Sequence, residues 1–167
     1  YEKYYKKMKT LTLIRHSKSS WDDPVTDSKR DLSPNGILKA RKVALFTKNR
    51  VNPEAIVWSS FAKRAHKTAI LFLENWGWNL SKIEIIDQLY TFDSNQLEQI
   101  VKSCQNDCNN LILFGHNNAI TDFVNKFGDV FIDNVPTAGF VTITFDTDSW
   151  SKINKGKTIE IIVPRDI

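Results

Sequence analysis

Residues Leu111–Asn117 read LILFGHN. Four apolar residues in succession, Leu111–Phe114, fit a strand buried on both faces, as in a parallel sheet. Gly115 breaks the run and His116 follows at once. Working outward, two more apolar segments end in the same manner. Thr10–Ile14 reads as a first strand and stops at Arg15-His16. Ala55–Trp58 is a short strand that stops at Ser59-Ser60, with Arg64 one turn into the next helix.

The segments between these strands have helical character. SPNG gives an N-cap at Ser33 and a proline at the first helical position, predicting a helix from Pro34 to about Lys48. SSFAKRAHKTAILFLENW opens a second helix, with Ala65, Ala69, Phe72 and Leu73 on its apolar side. Lys82–Ile86 is predicted as a strand, Asn95–Ser103 as a helix and Ile120–Phe127 as another. Phe140–Phe145 and Thr158–Val163 close the chain as two strands paired across a turn-rich connection. Alternating strands and helices predict a three-layer α/β/α domain with a mostly parallel central sheet, and the closing pair predicts an antiparallel edge strand.

The bulk properties exclude several classes. The chain has 167 residues, 41% hydrophobic and 11% aromatic, which fits one globular domain and not a disordered one. No apolar run reaches the roughly 20 residues that a membrane helix needs, so no membrane partner is expected. The net charge is +4. Most of it lies in residues 1–9, where Lys3, Lys6, Lys7 and Lys9 stand against Glu2, so a nucleic-acid-binding face on the folded domain is not expected. Residues 1–9 are read as a basic leader, disordered or a remnant with Met8 as a natural start, and residues 10–167 as the single domain. Cys104 and Cys108 form neither a disulfide framework nor a zinc pattern. Four apart on a helix they could share a face, and they read as reduced thiols of a cytoplasmic protein.

Ligands of open α/β sheets bind outside the carboxyl ends of the strands. That rule gathers Arg15, His16, Arg64, His116 and Asn117 towards one rim. The set suits a phosphoryl group. Guanidinium forks match its oxygens, a neutral imidazole can accept it covalently, and a second imidazole adds charge or a proton. The N-termini of the helices after Ser60 and Asn117 would add N–H donors. No metal or cofactor is called for.

The motifs resemble those of the histidine phosphatase superfamily. LIRHSKSSW (13–21) resembles its RHG signature, and most closely the RHAKSSW of the short SixA-type branch. RDLSPNGILKA (30–40), SSFAKRAHKTA (59–69), LFGHNNAITDFVN (113–125) and VPTAG (135–139) resemble four further segments in order. The resemblance implies a phosphoglycerate mutase-like fold and a metal-independent phosphatase working through phosphohistidine on His16. It assigns Arg15 and Arg64 to the phosphoryl group and His116 as the second histidine; Ser17, through its hydroxyl, and Asn117 are further candidate phosphate contacts. Ser17 stands where glycine is usual, and Phe61 where proline is.

Secondary candidates are Lys18, in the loop after His16, and Asp87, which could serve as a general acid; Asp93, Asp22 and Asp23 are weaker options. His66, two residues beyond Arg64, points to the other side of its helix. Larger relatives carry an acid on an insertion that this chain lacks. Alcohol phosphates should then react slowly while phosphoramidates suffer less. The expected function is a SixA-type phosphohistidine phosphatase acting on a phosphorylated protein. The alternatives are a small-molecule phosphomonoesterase or a non-catalytic phosphoanion-binding module.

Overall fold

The computed structural model describes residues 8–167; the leader lysines Lys3, Lys6 and Lys7 lie outside the described residues. Six strands form one sheet: β1 (Lys9–Arg15), β2 (Ile56–Ser59), β3 (Ile83–Ile85), β4 (Asn110–Gly115), β5 (Phe140–Phe145) and β6 (Lys157–Ile162). Their spatial order is β3-β2-β4-β1-β5-β6. β1 to β4 are mutually parallel where they pair. β5 pairs antiparallel with both β1 and β6. The reversed strand is therefore β5, one place in from the edge. β6, at the edge itself, runs with β1. The closing hairpin is as expected, but its first strand is the one that opposes the sheet.

Four helices cover the two faces: α1 (Pro34–Thr47), α2 (Lys63–Trp76), α3 (Ser94–Lys102) and α4 (Ala119–Phe127). Alternation along β1 and β4 divides the core. Leu11, Leu13, Leu111 and Leu113 pack with Leu97 and Val101 of α3 and with Ile120 and Phe123 of α4. Ile14, Ile112 and Phe114 pack on the other face, with Val43 and Ala44 of α1 and Ala69 and Phe72 of α2. Both faces of β4 are thus covered, which is why its sequence is a continuous apolar run. Ser33 caps α1 as predicted, its hydroxyl accepting from the Gly36 N–H at 3.0 Å.

Two boundaries differ from expectation. Lys9 is not part of a leader; it opens β1 and is fully buried. Its ammonium donates to the carbonyls of Asn106 (2.5 Å) and Cys108 (3.1 Å) and to Asn109 Oδ1 (2.8 Å). A buried lysine needs such partners. Cys104 and Cys108 do not lie on one helix, because α3 ends at Lys102. They fall in the irregular segment before β4, free and buried.

Gly36 shows why the first helix needs a glycine in its opening turn. A Cβ there would lie 2.0 Å from the Lys18 carbonyl oxygen. The Ser33 N–H donates to that same oxygen at 2.9 Å, so α1 is drawn tightly against the loop that follows His16. Alanine at an exposed helical position gains about 1 kcal/mol over glycine. Here the backbone clash outweighs that gain. Gly36→Ala is expected to lower unfolding free energy by about 1–3 kcal/mol, read by urea denaturation, and to lower turnover through displacement of residues 17–18.

Candidate active site

Register brings the ends of three strands level. Arg15 pairs with Gly115 across β1 and β4, and Ser59 with Phe114 across β2 and β4. The next residues of each strand, His16, His116 and Ser60, therefore emerge together. The His16 N–H donates to the Gly115 carbonyl (3.0 Å) and the Ser60 N–H to that of Phe114 (3.1 Å). The two imidazole centroids are 5.3 Å apart.

His16 is held in one tautomer. Its Nδ1 lies 2.7 Å from the Ser17 carbonyl, and since a carbonyl only accepts, Nδ1 carries the proton. Nε2 is left with its lone pair. Arg64 Nε–H points at that atom from 3.3 Å, a long contact that marks the lone pair without tying it down. Burial is the main cause that lowers the His16 pKa to about 4. The Ser17 hydrogen bond opposes it, and the Arg64, Arg15 and Arg30 charges add to it. His116 falls further, to about 3, again chiefly by burial and then by the His16 and Arg64 charges. Its Nε2 lies 2.8 Å from Ser60 Oγ, and its Nδ1 is buried with no hydrogen-bond partner.

The arginines come from separate elements. Arg64, in the first turn of α2, is almost wholly buried. Besides His16 it donates to the Asp27 carbonyl at 2.8 Å and carboxylate at 3.0 Å. Arg15 donates through Nη1 to the Val135 carbonyl at 2.9 Å, and its Nε is buried without a partner. Burial foremost, then the Arg64 charge, lowers its pKa from the ordinary value. The VPTAG segment explains this placement. Ala138 adopts a left-handed backbone (φ 62°) and gives its N–H to the carbonyls of Arg15 and His16.

A cavity of about 590 Å³ opens over His16, Arg15 and Arg64 and also takes in Lys18, Asp27 and Thr137. A larger cleft of about 770 Å³ runs between α1 and residues 132–137, meeting the first at Thr137. It contains no imidazole, so the smaller cavity is where the chemistry can occur.

Not every expected residue faces this cavity. Ser17 is fully buried. Its hydroxyl donates to the Gly36 carbonyl (2.6 Å), and its N–H goes to Thr68 Oγ1 (2.9 Å). It ties β1 to α1 and α2 and does not meet a phosphate. Asn117 is turned back on α4: its Oδ1 accepts from the Thr121 N–H and hydroxyl, and its Nδ2 donates to Asn134 Oδ1. That cap also occupies an N–H expected to serve an anion. Asp87 and Asp93 stay outside the cavity lining, and Asp93 caps α3 through the Asn95 N–H. Asp22 and Asp23 are exposed and also outside it, as is the half-buried His66.

Asp27 was not anticipated. It lies in the polar segment between β1 and α1, with no local pattern to single it out. Burial pushes its pKa up, but hydrogen bonds from Tyr90, Arg64 and Arg30 outweigh that and hold it at about 2. Tyr90 donates its hydroxyl to Asp27, and Arg30 contacts it at 3.2 Å. The carboxylate thus orients two guanidinium groups and remains ionised. Among the described residues, no cluster of three His, Cys, Asp or Glu could hold a metal ion.

Two buried imidazoles, a buried guanidinium and a half-buried one at the carboxyl rim of an α/β sheet make an oxyanion cradle of the kind phosphoryl-transfer proteins use. The family model of the histidine phosphatase superfamily (branch 1) matches residues 11–119, and the chain belongs to that superfamily. A search of curated proteins finds no match. A candidate phosphohistidine phosphatase SixA from Agrobacterium tumefaciens is 24% identical, covering 93% of this chain and 98% of its own, with a TM-score of 0.76. The protein histidine phosphatase SixA complexed with tungstate is 18% identical, covering 94% and 98%, with a TM-score of 0.78. A phosphoglycerate mutase from Bacillus anthracis is 14% identical, covering 89% and 96%, at 0.65. At these identities the likeness is one of fold, which is phosphoglycerate mutase-like. Superfamily membership, with SixA among the structural neighbours, supports a phosphatase.

The depressed histidine pKa values have a measurable consequence. The unfolded chain binds protons on His16 and His116 below about pH 6.5, and the folded chain does so only near pH 4 and 3. Stability is therefore complete above pH 6.5 and falls as the pH drops towards 4, by about 3 kcal/mol from His16 alone. Urea unfolding at pH 7 and pH 4.5 should show the drop, and His16→Gln should roughly halve it, His116 supplying the remainder.

Proposed function

We propose that this protein is a SixA-type phosphohistidine phosphatase that passes the phosphoryl group through Nε2 of His16. The observation that carries the reading is the state of that atom: an unprotonated nitrogen, its ring fixed through Nδ1 by the Ser17 carbonyl, with the Arg64 guanidinium 3.3 Å away. The Nε2 lone pair attacks phosphorus, and the bond from phosphorus to the leaving nitrogen breaks. Arg15 and Arg64 take the charge on the equatorial oxygens. His116, buried beside His16 with the ring centroids 5.3 Å apart but outside the cavity lining, is the second histidine of the proposed site. Water then attacks the phosphorus on His16, releasing inorganic phosphate and restoring the neutral ring.

The leaving group decides the substrate class. Among the described residues the one carboxylate lining the cavity, Asp27, is ionised and held by Arg64, so it has no proton to give at neutral pH. An alkyl phosphate needs a proton on its bridging oxygen inside the cavity. A phosphoimidazole can take one from solvent at its remote ring nitrogen. This asymmetry favours phosphohistidine over phosphoserine. The free thiols of Cys104 and Cys108 accord with a cytoplasmic setting. Among the described residues no helix is long and apolar enough to cross a membrane.

Chelator-treated protein is to be assayed side by side with an aryl phosphate, a phosphohistidine peptide and a phosphoserine peptide. Turnover of the first two alone is expected. Rapid turnover of phosphoserine would point to a general phosphomonoesterase, and phosphate binding without turnover to a binding module. His16→Ala should lower turnover by roughly 10³-fold or more, while Arg64→Ala should cost roughly 10²-fold and also weaken phosphate binding. Retention of most activity by His16→Ala would refute the nucleophile assignment.

A further inference from the structure

In-line transfer places the leaving group on the far side of phosphorus from His16. The floor of the cavity is occupied by His16, Arg15 and Arg64, so the leaving group must project to the mouth. Among the exposed residues that line the cavity are two large rings, Trp21 and Phe92. Trp21 is 78% exposed and Phe92 53%. Both rings sit beside cationic and imidazole groups, and both leave much of their surface to solvent.

Both rings are held. Trp21 comes from the loop beyond His16 and lies over the Arg30 guanidinium, 3.7 Å from its centroid. Arg30 is fixed in turn by Asp27 and Ser19. Phe92 comes from the segment between β3 and α3. Its ring meets His116 edge-on at 5.6 Å and 68°, and Tyr90 at 5.6 Å and 71°. Tyr90 is anchored to Asp27 through its hydroxyl. One ionised carboxylate thus sets the positions of the Arg30 platform under Trp21 and of the Tyr90 support beside Phe92. Two rings braced from separate segments, with much of their surface left to solvent, have the form of a recognition site for another flat apolar body.

We propose that Trp21 and Phe92 are specificity-determining residues that receive a planar aromatic leaving group attached to the phosphoryl moiety. The inference rests on the phosphatase reading above for the direction in which the leaving group points. It assigns the substrate class through ring recognition: phosphoryl groups borne on an imidazole or aryl ring, in preference to those on aliphatic chains. Trp21 and Phe92 touch the departing ring and take no part in bond making.

Binding of non-hydrolysable phosphonates tests this without requiring turnover. Phenylphosphonate and methylphosphonate present the same oxyanion and differ in the ring. By titration calorimetry the unaltered protein should bind phenylphosphonate roughly tenfold more tightly, as stacked aromatic contacts allow. In the Trp21→Ala, Phe92→Ala double variant that ratio should fall to about 1, with methylphosphonate affinity changed by less than about twofold. The second result shows that the oxyanion cradle is intact and the variant folded. A ratio near 1 in the unaltered protein, or one that survives in the double variant, overturns the proposal. So does an equal loss of affinity for both phosphonates. A phosphoimidazole turnover assay on the unaltered protein separates the two readings. Ring preference without turnover would sink the phosphatase assignment and leave the ring site standing, and turnover without ring preference would do the reverse.

Discussion

The parallel pairing of β1 with β4 is the constraint on which the site depends. These strands are about a hundred positions apart in the chain but adjacent at the centre of the sheet, in a register that sets Arg15 beside Gly115. A parallel register of this kind cannot slip by one residue without turning Leu11, Leu13, Leu111 and Leu113 from one helical layer into the other. Core packing therefore fixes the pairing, and the pairing fixes the separation of His16 from His116. Position in the active site follows from apolar burial several residues away. The imidazoles need no direct hydrogen bond to each other to stay at 5.3 Å.

The same burial sets their charge. Desolvation is the main cause that keeps His16 neutral, and the charges of the surrounding arginines add to it. Neutrality is what a nucleophile requires, but it leaves a strongly cationic cavity. Asp27 offsets part of that charge from the rim. Its carboxylate is more solvent-exposed than Arg64, with side-chain exposures of 45% and 3%. Asp27 thus pairs the buried Arg64 guanidinium while keeping its own contact with water. Among the described residues Arg15 has no such counter-charge. Its restraint is the neutral Val135 carbonyl, and its unpartnered Nε keeps a donor in reserve.

How much of this was legible in the sequence depended on the range of the interaction. Helices α1 and α2, both faces of β4 and the closing hairpin follow from local apolar period, the Ser33 cap and the absence of a helix between β5 and β6. His16, His116, Arg15 and Arg64 were legible because each sits directly after a strand or one turn into a helix, where topology alone determines direction. Ser17 and Asn117 satisfied the same positional rule yet turned inward. Their hydroxyl and amide found partners, the Gly36 carbonyl and the α4 N-terminus, that no local pattern announces. Lys9 was misplaced for the opposite reason. A lysine at the end of a basic run looks solvated, and only the fold brings Asn106, Cys108 and Asn109 to its ammonium. Asp27 sits in a turn-rich segment with several other acids, and its role exists only once Arg64, Arg30 and Tyr90 converge on it.

The proton economy of the cavity and the shape of its mouth bear on the same part of the substrate. On the proposed reading, with Asp27 ionised, the described residues lining the cavity can stabilise charge on the phosphoryl oxygens but offer the departing atom no carboxylic proton. Rate then depends on how readily that atom leaves unaided, which selects against alcohols on chemical grounds. Recognition of the departing group falls to whatever lines the mouth, and there the surface is aromatic and braced. The leaving groups that satisfy the chemical requirement, delocalised rings able to carry electron density from a breaking bond, are also the flat bodies that aromatic side chains hold best. On the proposed reading, selectivity by reactivity and selectivity by contact would coincide in one class of substrate. The oxyanion cradle, common to all phosphoryl donors, contributes to rate without discriminating among them.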